Sequence, residues 1–291
     1  MRRVWLVYMM VLATGVFLAG MGSRPAAMEA PRMAFSEAQQ IIRMSDRQGV
    51  SLAQMMDDIK GSKVILVGET HHEKNHHELQ LDVIRALHEK GIPLAIGLEM
   101  FPSESQRKLD RWNEGKIIEP SFKWVYSQYW SEEWLLYRDI FVYARDNHIP
   151  LIALNTPRQT MRKVMEQGFA SLEPAEKKDL PPDVTCVLDT AYTGFLKKVY
   201  SEHIKNEKSF TYFCEAQTLY NNGMAWNIAK YLKTNPTRTI VTLAGVWHVV
   251  KNGIPQQLER YLDVSYKVII PELPGFSYEN ASSRDADYFF K

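Results

Sequence analysis

Lys63-Val64-Ile65-Leu66-Val67-Gly68-Glu69-Thr70-His71 decides the fold class. An uninterrupted apolar run that ends at glycine and polar residues is the pattern of a strand buried on both faces, as in a parallel sheet. Helical spacing follows, with apolar residues at Leu79, Val83, Ile84 and Leu87. Gly91-Ile92-Pro93 stops that helix, and Leu94-Ala95-Ile96-Gly97-Leu98-Glu99 supplies a second strand. Together they make a βαβ unit.

Working outward, Pro102-Ser103-Glu104 opens another helix, and Ser131-Glu132-Glu133 starts a further one with an N-cap. Residues 150–154 read as a third strand, after which Thr156-Pro157 begins a helix. Two helices are expected at 188–204 and 208–230, with no strand between them. The strand and helix pattern returns at 239–244, 254–261 and 266–270. The expectation is an α/β fold with a mostly parallel central sheet flanked by helices and an inserted helical region. Residues 35–275 form one such domain with the insertion at about 185–232, and 276–291 are expected to be an irregular tail.

Arg2 and Arg3 precede an uncharged run over residues 4–20, which Ser23, Arg24 and Pro25 break. A basic start and apolar stretch of this kind is an export signal or a retained N-terminal anchor, followed here by a linker, so residues 1–30 are set apart. An exported protein of the periplasm or membrane-associated cell envelope is expected. Leu18-Ala19-Gly20 resembles a lipoprotein cleavage box, but Met21 stands where the lipid-accepting cysteine belongs. Cys186 and Cys214 either pair in an oxidising compartment or stay as buried thiols. A net charge of +1 with interspersed signs excludes a nucleic-acid partner, which needs a concentrated basic face.

Ligands of open parallel sheets sit beyond the carboxyl ends of the strands. Glu69 and His71 leave the first strand there, Glu99 ends the second, Asn155 leaves the third and His248 leaves the fourth. Gly68-Glu69-Thr70-His71 and Gly245-Val246-Trp247-His248 repeat one G-x-x-H spacing, in which glycine permits a tight turn. His71, His248 and Glu99 are candidate ligands for a divalent metal. The same residues with Glu69 are the candidate catalytic set of a metal-dependent hydrolase, in which a metal-bound or base-activated water attacks an ester or amide carbonyl. His72-Glu73-Lys74-Asn75-His76 also matches H-E-x-x-H, but it straddles the turn into the helix, where Asn75 is a possible N-cap.

These residues resemble the ChaN-type haem-binding uptake proteins of the Tiki superfamily. The likeness runs from Gly68-Glu69-Thr70-His71 through His76-His77, Gln80 and Gly97-Leu98-Glu99-Met100. It continues at Glu215-Ala216-Gln217, Met224-Ala225, Gly245-Val246-Trp247-His248 and Gly253-Ile254-Pro255. Erythromycin-esterase-like and metalloprotease relatives share the two G-x-x-H turns and the strand-end Glu. The resemblance implies haem or iron acquisition at the bacterial envelope, with haem held by a tyrosine and a homodimer enclosing a cofacial haem pair. In the inserted helices, Tyr192, Tyr200 and His203 are the candidate haem-binding residues. A phenolate suits ferric iron, and Tyr200 and His203 share a helix face. Lys197, Lys198 and Lys205 are available to haem propionates, or are simply solvated. The aromatic stretch from Phe122 to Tyr137 reads either as core packing or as the wall of a porphyrin site.

Overall fold

The computed structural model describes residues 40–178, 180–182, 184, 193–194, 196–197 and 207–291. Its first half runs β1 (Ile41–Arg43), β2 (Gln48–Val50), α1 (Leu52–Ile59), β3 (Val64–Glu69), α2 (Lys74–Glu89) and β4 (Leu94–Pro102). Helices α3 (Gln106–Asn113), α4 (Glu119–Ser127) and α5 (Trp134–Asp146) then lead to β5 (Leu151–Asn155) and α6 (Arg158–Gln167). The long helix α7 (Glu207–Thr234) precedes β6 (Thr239–Gly245), α8 (Val246–Val249), α9 (Ile254–Leu258), β7 (Tyr266–Pro271) and β8 (Tyr288–Phe290).

The strands form one sheet in the order β2-β1-β8-β7-β3-β6-β4-β5. From β8 to β5 neighbours run parallel, while β1 is antiparallel to both β8 and β2. Alternate strand residues face opposite layers. Ile65, Val67, Ile96, Leu98, Val241 and Leu243 pack with α1 to α5, whereas Val64, Leu66, Ala95 and Ile240 pack with α7, α8 and α9. The aromatic stretch is largely core. Phe122, Tyr126, Trp134 and Tyr137 are buried beside Trp112 and Phe141, though Trp124 is exposed.

Four differences from the sequence expectations have physical reasons. The tail is not irregular throughout, because Tyr288-Phe289-Phe290 is buried and bridges β1 to β7. Three residues are too few for a periodicity to show. Helix α2 starts at Lys74, with Glu73 rather than Asn75 at its N-cap position. Pro157 is the N-cap of α6 rather than its first helical residue. Gly68 lies inside β3 and is needed for close packing rather than for a turn. A Cβ there would come within 2.7 Å of the Val249 side chain and 2.9 Å of Ile270. Of the inserted helices, the second is α7, and most of the first lies outside the described residues.

Candidate functional site at the carboxyl edge of the sheet

Glu69 ends β3 with a side chain almost wholly buried. Its Oε1 accepts from the Tyr137 hydroxyl on α5 and lies 2.8 Å from Nδ1 of His71. Its Oε2 accepts from the Gln80 amide at 2.8 Å and lies 3.2 Å from Nδ1 of His77. Both of those side chains come from α2. The Gln80 amide nitrogen also donates to the Val67 carbonyl, which turns Gln80 Oε1 toward His77 Nδ1 at 3.2 Å.

His77 is therefore doubly protonated. Its Nε2 donates to the His71 carbonyl at 3.0 Å, and its Nδ1 faces only acceptors. Burial opposes charge on His77, and the Glu69 carboxylate reverses that effect and raises its pKa. For Glu69, burial disfavours ionisation, but hydrogen bonds from His71 and His77 outweigh it and hold the carboxyl below the usual range. His71 follows His77. Burial opposes its charge, the Glu69 hydrogen bond and the nearby Glu99 charge prevail, and its pKa is pushed up to about 9.

The second half of the site is built on β4, β6 and α7. Glu99 Oε2 accepts the Gly245 backbone N–H at 2.6 Å, and its Oε1 lies 3.5 Å from Nε2 of His248. Asn155 donates to the Glu99 carbonyl at 2.9 Å. Nδ1 of His248 sits 2.7 Å from Asn221 Oδ1, so Nδ1 carries the proton and Nε2 is left as a base. Burial lowers the pKa of His248 against the opposing pull of Glu99. The two halves meet at Gly245. A Cβ there would lie 3.0 Å from His71 Cε1 and 3.7 Å from Glu99 Oε2, in the space between them.

Glu69, His71, Glu99 and His248 thus share one edge, and two imidazoles there have pKa values driven apart. A charged His71 beside a neutral His248 is an acid and a base in one site. Among the described residues no group of three or more His, Cys, Asp or Glu side chains is placed to hold a metal ion. His72 is exposed in the turn, whereas His76 is buried on α2, its Nδ1 accepting the Thr70 N–H at 2.9 Å. The H-E-x-x-H match therefore puts no pair of histidines on one helix face. Tyr192, Tyr200 and His203 lie outside the described residues.

Tyr137 and Asn221 have roles in the site that the sequence does not announce. Tyr137 sits in an aromatic run that reads as core, and Asn221 in the middle of a long helix. His77 and Gln80 were visible only as part of a resemblance, although their spacing of three places them on one helix face.

Residues 55–258 match the family model described as haem-binding uptake, Tiki superfamily, ChaN. The chain belongs to this family. A solved structure titled as cofacial haem binding to ChaN of Campylobacter jejuni superposes with a TM-score of 0.71 at 18% identity. That likeness covers 87% of this chain and 96% of the other, and it shows a shared fold. An erythromycin esterase mutant, EreC, in its open conformation lies further off, with a TM-score of 0.49 at 12% identity over 79% of this chain and 76% of its own. The Arabidopsis thaliana protein RETICULATA-RELATED 5, chloroplastic, is 24% identical over 153 residues, 50% of this chain. The match spans only 21% of that relative's length.

Apolar and cationic side chains, the types that a flat apolar macrocycle with carboxylates would need, flank the inserted segment of this ChaN family member. Beside the inserted segment, Leu196 and Cys214 are buried against half-buried Phe210 and Phe213, whose rings stack at 6.5 Å. Lys197 and Lys208 are exposed next to them. Lys198 and Lys205 lie outside the described residues. Cys214 is a buried free thiol, and Cys186 lies outside the described residues. No described helix is long and apolar enough to cross a membrane.

Proposed function

We propose that this protein is an envelope haem-binding protein taking part in haem and iron uptake, holding ferric haem through a tyrosine and pairing with a second copy when loaded. The match of residues 55–258 to the ChaN family carries this reading. The Campylobacter protein's cofacial haem supports the paired arrangement, since two stacked haems are naturally enclosed by two protomers. Tyr192 or Tyr200 would supply the phenolate, an anionic oxygen donor that ferric iron favours. His203 would donate a hydrogen bond to it, and Phe210 and Phe213 would cover apolar surface of the macrocycle. Localisation to the envelope rests on the apolar N-terminal run after Arg2 and Arg3. Haemin titration of the purified protein, read by absorbance and by size in solution, tests it. A saturable ferric spectrum with dimer formation is expected, abolished by Tyr192→Phe or Tyr200→Phe and retained in His71→Ala. No saturable spectrum in the wild type would sink the reading.

A second reading is favoured by the opposed protonation of His71 and His248. In a hydrolase, neutral His248 would take a proton from water as the oxygen attacks an ester or amide carbonyl. Charged His71 would give its Nε2 proton to the leaving group. Turnover of model esters that disappears in both His71→Ala and His248→Ala, with haem binding unchanged, would support it.

A further inference from the structure

Beside the Glu69–His71 pair lies a cleft of about 210 Å³, lined by Met100, Tyr129, Trp130, Asn155, Thr156, Arg158 and Tyr220 among others. It adjoins the site just described, since Trp130 packs edge-on against His71 and Tyr220 against His248. Arg158, the first residue of α6, is part of that lining. Pro157 at the N-cap of that helix makes no side-chain capping hydrogen bond, and no described side chain is seen to serve its first turn. Unpaired N–H groups and the helix dipole give this end partial positive charge. Thr156 is only 3% exposed, and its hydroxyl has no hydrogen-bond partner among the described residues, although its backbone N–H is held by Asn155 Oδ1. The fold keeps room for that hydroxyl, because a Cβ on Gly223 of α7 would come within 2.0 Å of Thr156 Oγ1.

Arg158, an exposed residue of the lining, places one guanidinium nitrogen on the Gln128 carbonyl at 2.6 Å, and its other donors have no partner among the described residues. Among the described residues no acidic side chain lines the cleft. The Glu99 carboxylate, the acid close by, is turned away onto Gly245 and His248. Donors and positive charge therefore converge in a lining without a carboxylate among the described residues, although the Glu99 charge is felt at Tyr220. The remaining wall of Met100, Tyr129, Trp130 and Tyr220 is apolar or aromatic.

We propose that this cleft is a carboxylate-binding subsite for an apolar acid. The acid's carboxylate sits on the N-terminus of α6, held by the Thr156 hydroxyl and the Arg158 guanidinium, and its apolar body lies against Trp130 and Tyr220. A haem propionate and a free aromatic or aliphatic acid share this chemistry. The subsite stands on its own residues, so it survives a failure of the haem reading.

Calorimetric titrations of the wild type, Thr156→Val and Arg158→Leu with haemin, with the dimethyl ester of haemin and with benzoate test the proposal. Thr156→Val keeps the side-chain volume, and matched thermal melts confirm that both variants fold. If haemin binds about 10-fold more weakly to both variants, with the dimethyl ester unaffected, the occupant is a propionate. If benzoate binds the wild type and is lost from both variants while haemin is unchanged, the occupant is a free acid. The proposal is overturned if neither acid's affinity changes in either variant, or if neither acid binds the wild type.

Discussion

The Tyr137 hydroxyl donates a hydrogen bond to Oε1 of Glu69, tying α5 to the end of β3 across the buried face of the sheet. Both side chains are essentially out of solvent. Glu69 keeps its charge there because Tyr137, His71, His77 and Gln80 all point donors at it. Tyr137→Phe removes one donor and leaves no water to replace it. A loss of about 1–3 kcal/mol in unfolding free energy is expected. Urea denaturation measures it, and a midpoint equal to wild type would mean that Tyr137 contributes only its ring.

The same cluster sets how stability depends on pH. The folded pKa of His71 is pushed up to about 9, above the ordinary value of 6.5, and that of His77 is also raised. Their contribution is complete below the unfolded value and is lost as pH rises through the folded one. Glu69 runs the other way, since its lowered pKa gives stability above its ordinary value of 4.5 that fades as pH falls. His76, lowered to about 4 by burial first and then by the charge of His77, adds to the loss on the acid side. Stability should therefore decline between about pH 6.5 and 9. His71→Gln, which keeps a donor without the titration, should flatten that decline. Urea midpoints measured from pH 6 to 10 give the two slopes, and identical slopes would remove His71 from the account.

The parallel strands were legible because strands buried on both faces read as apolar runs, and β3 and β6 are buried at every position. Strand-end position also places Glu69, Glu99 and His248 on one edge, because topology alone fixes which ends meet. What sequence could not carry was contact between distant residues of ordinary type. Tyr137 differs from its aromatic neighbours only in where its hydroxyl ends, and Asn221 reads as one more polar residue on a helix. The terminal strand β8 and the β1–β2 hairpin were illegible for another reason. Three-residue strands at or near a sheet edge show too little alternation to register.

Gly223 offers a test of how tightly α7 is fitted to the sheet edge. In a helix interior, alanine is normally favoured over glycine by about 1 kcal/mol. Here the added Cβ would overlap Thr156 Oγ1 at 2.0 Å, and Thr156 is itself buried at the turn into α6. Forced repacking of this kind costs about 1–3 kcal/mol. Gly223→Ala should therefore lower the thermal midpoint despite its better helix propensity. A raised midpoint would show that Thr156 rotates away freely.

Edge strand β5 is guarded by a side chain that imitates a neighbouring strand. The Gln106 amide donates to the Leu151 carbonyl at 2.7 Å and accepts the Ala153 N–H at 2.8 Å, the donor and acceptor pair that another strand would offer. Asn113 caps the Ile149 carbonyl at 2.6 Å, and Asn227 caps that of Leu154 at 2.8 Å. An open sheet edge is a template for pairing with another chain, and covering it prevents that. Gln106→Leu uncovers two backbone groups and adds apolar surface beside them. Because water can reach part of the site, the loss in stability should be modest, about 1 kcal/mol. The larger effect should be association through β5. Light scattering across a concentration series is expected to show self-association of the variant without haem, under conditions where the wild type shows none. If Gln106→Leu scatters like the wild type while losing stability, the Gln106 amide serves the local fold and does not guard the edge.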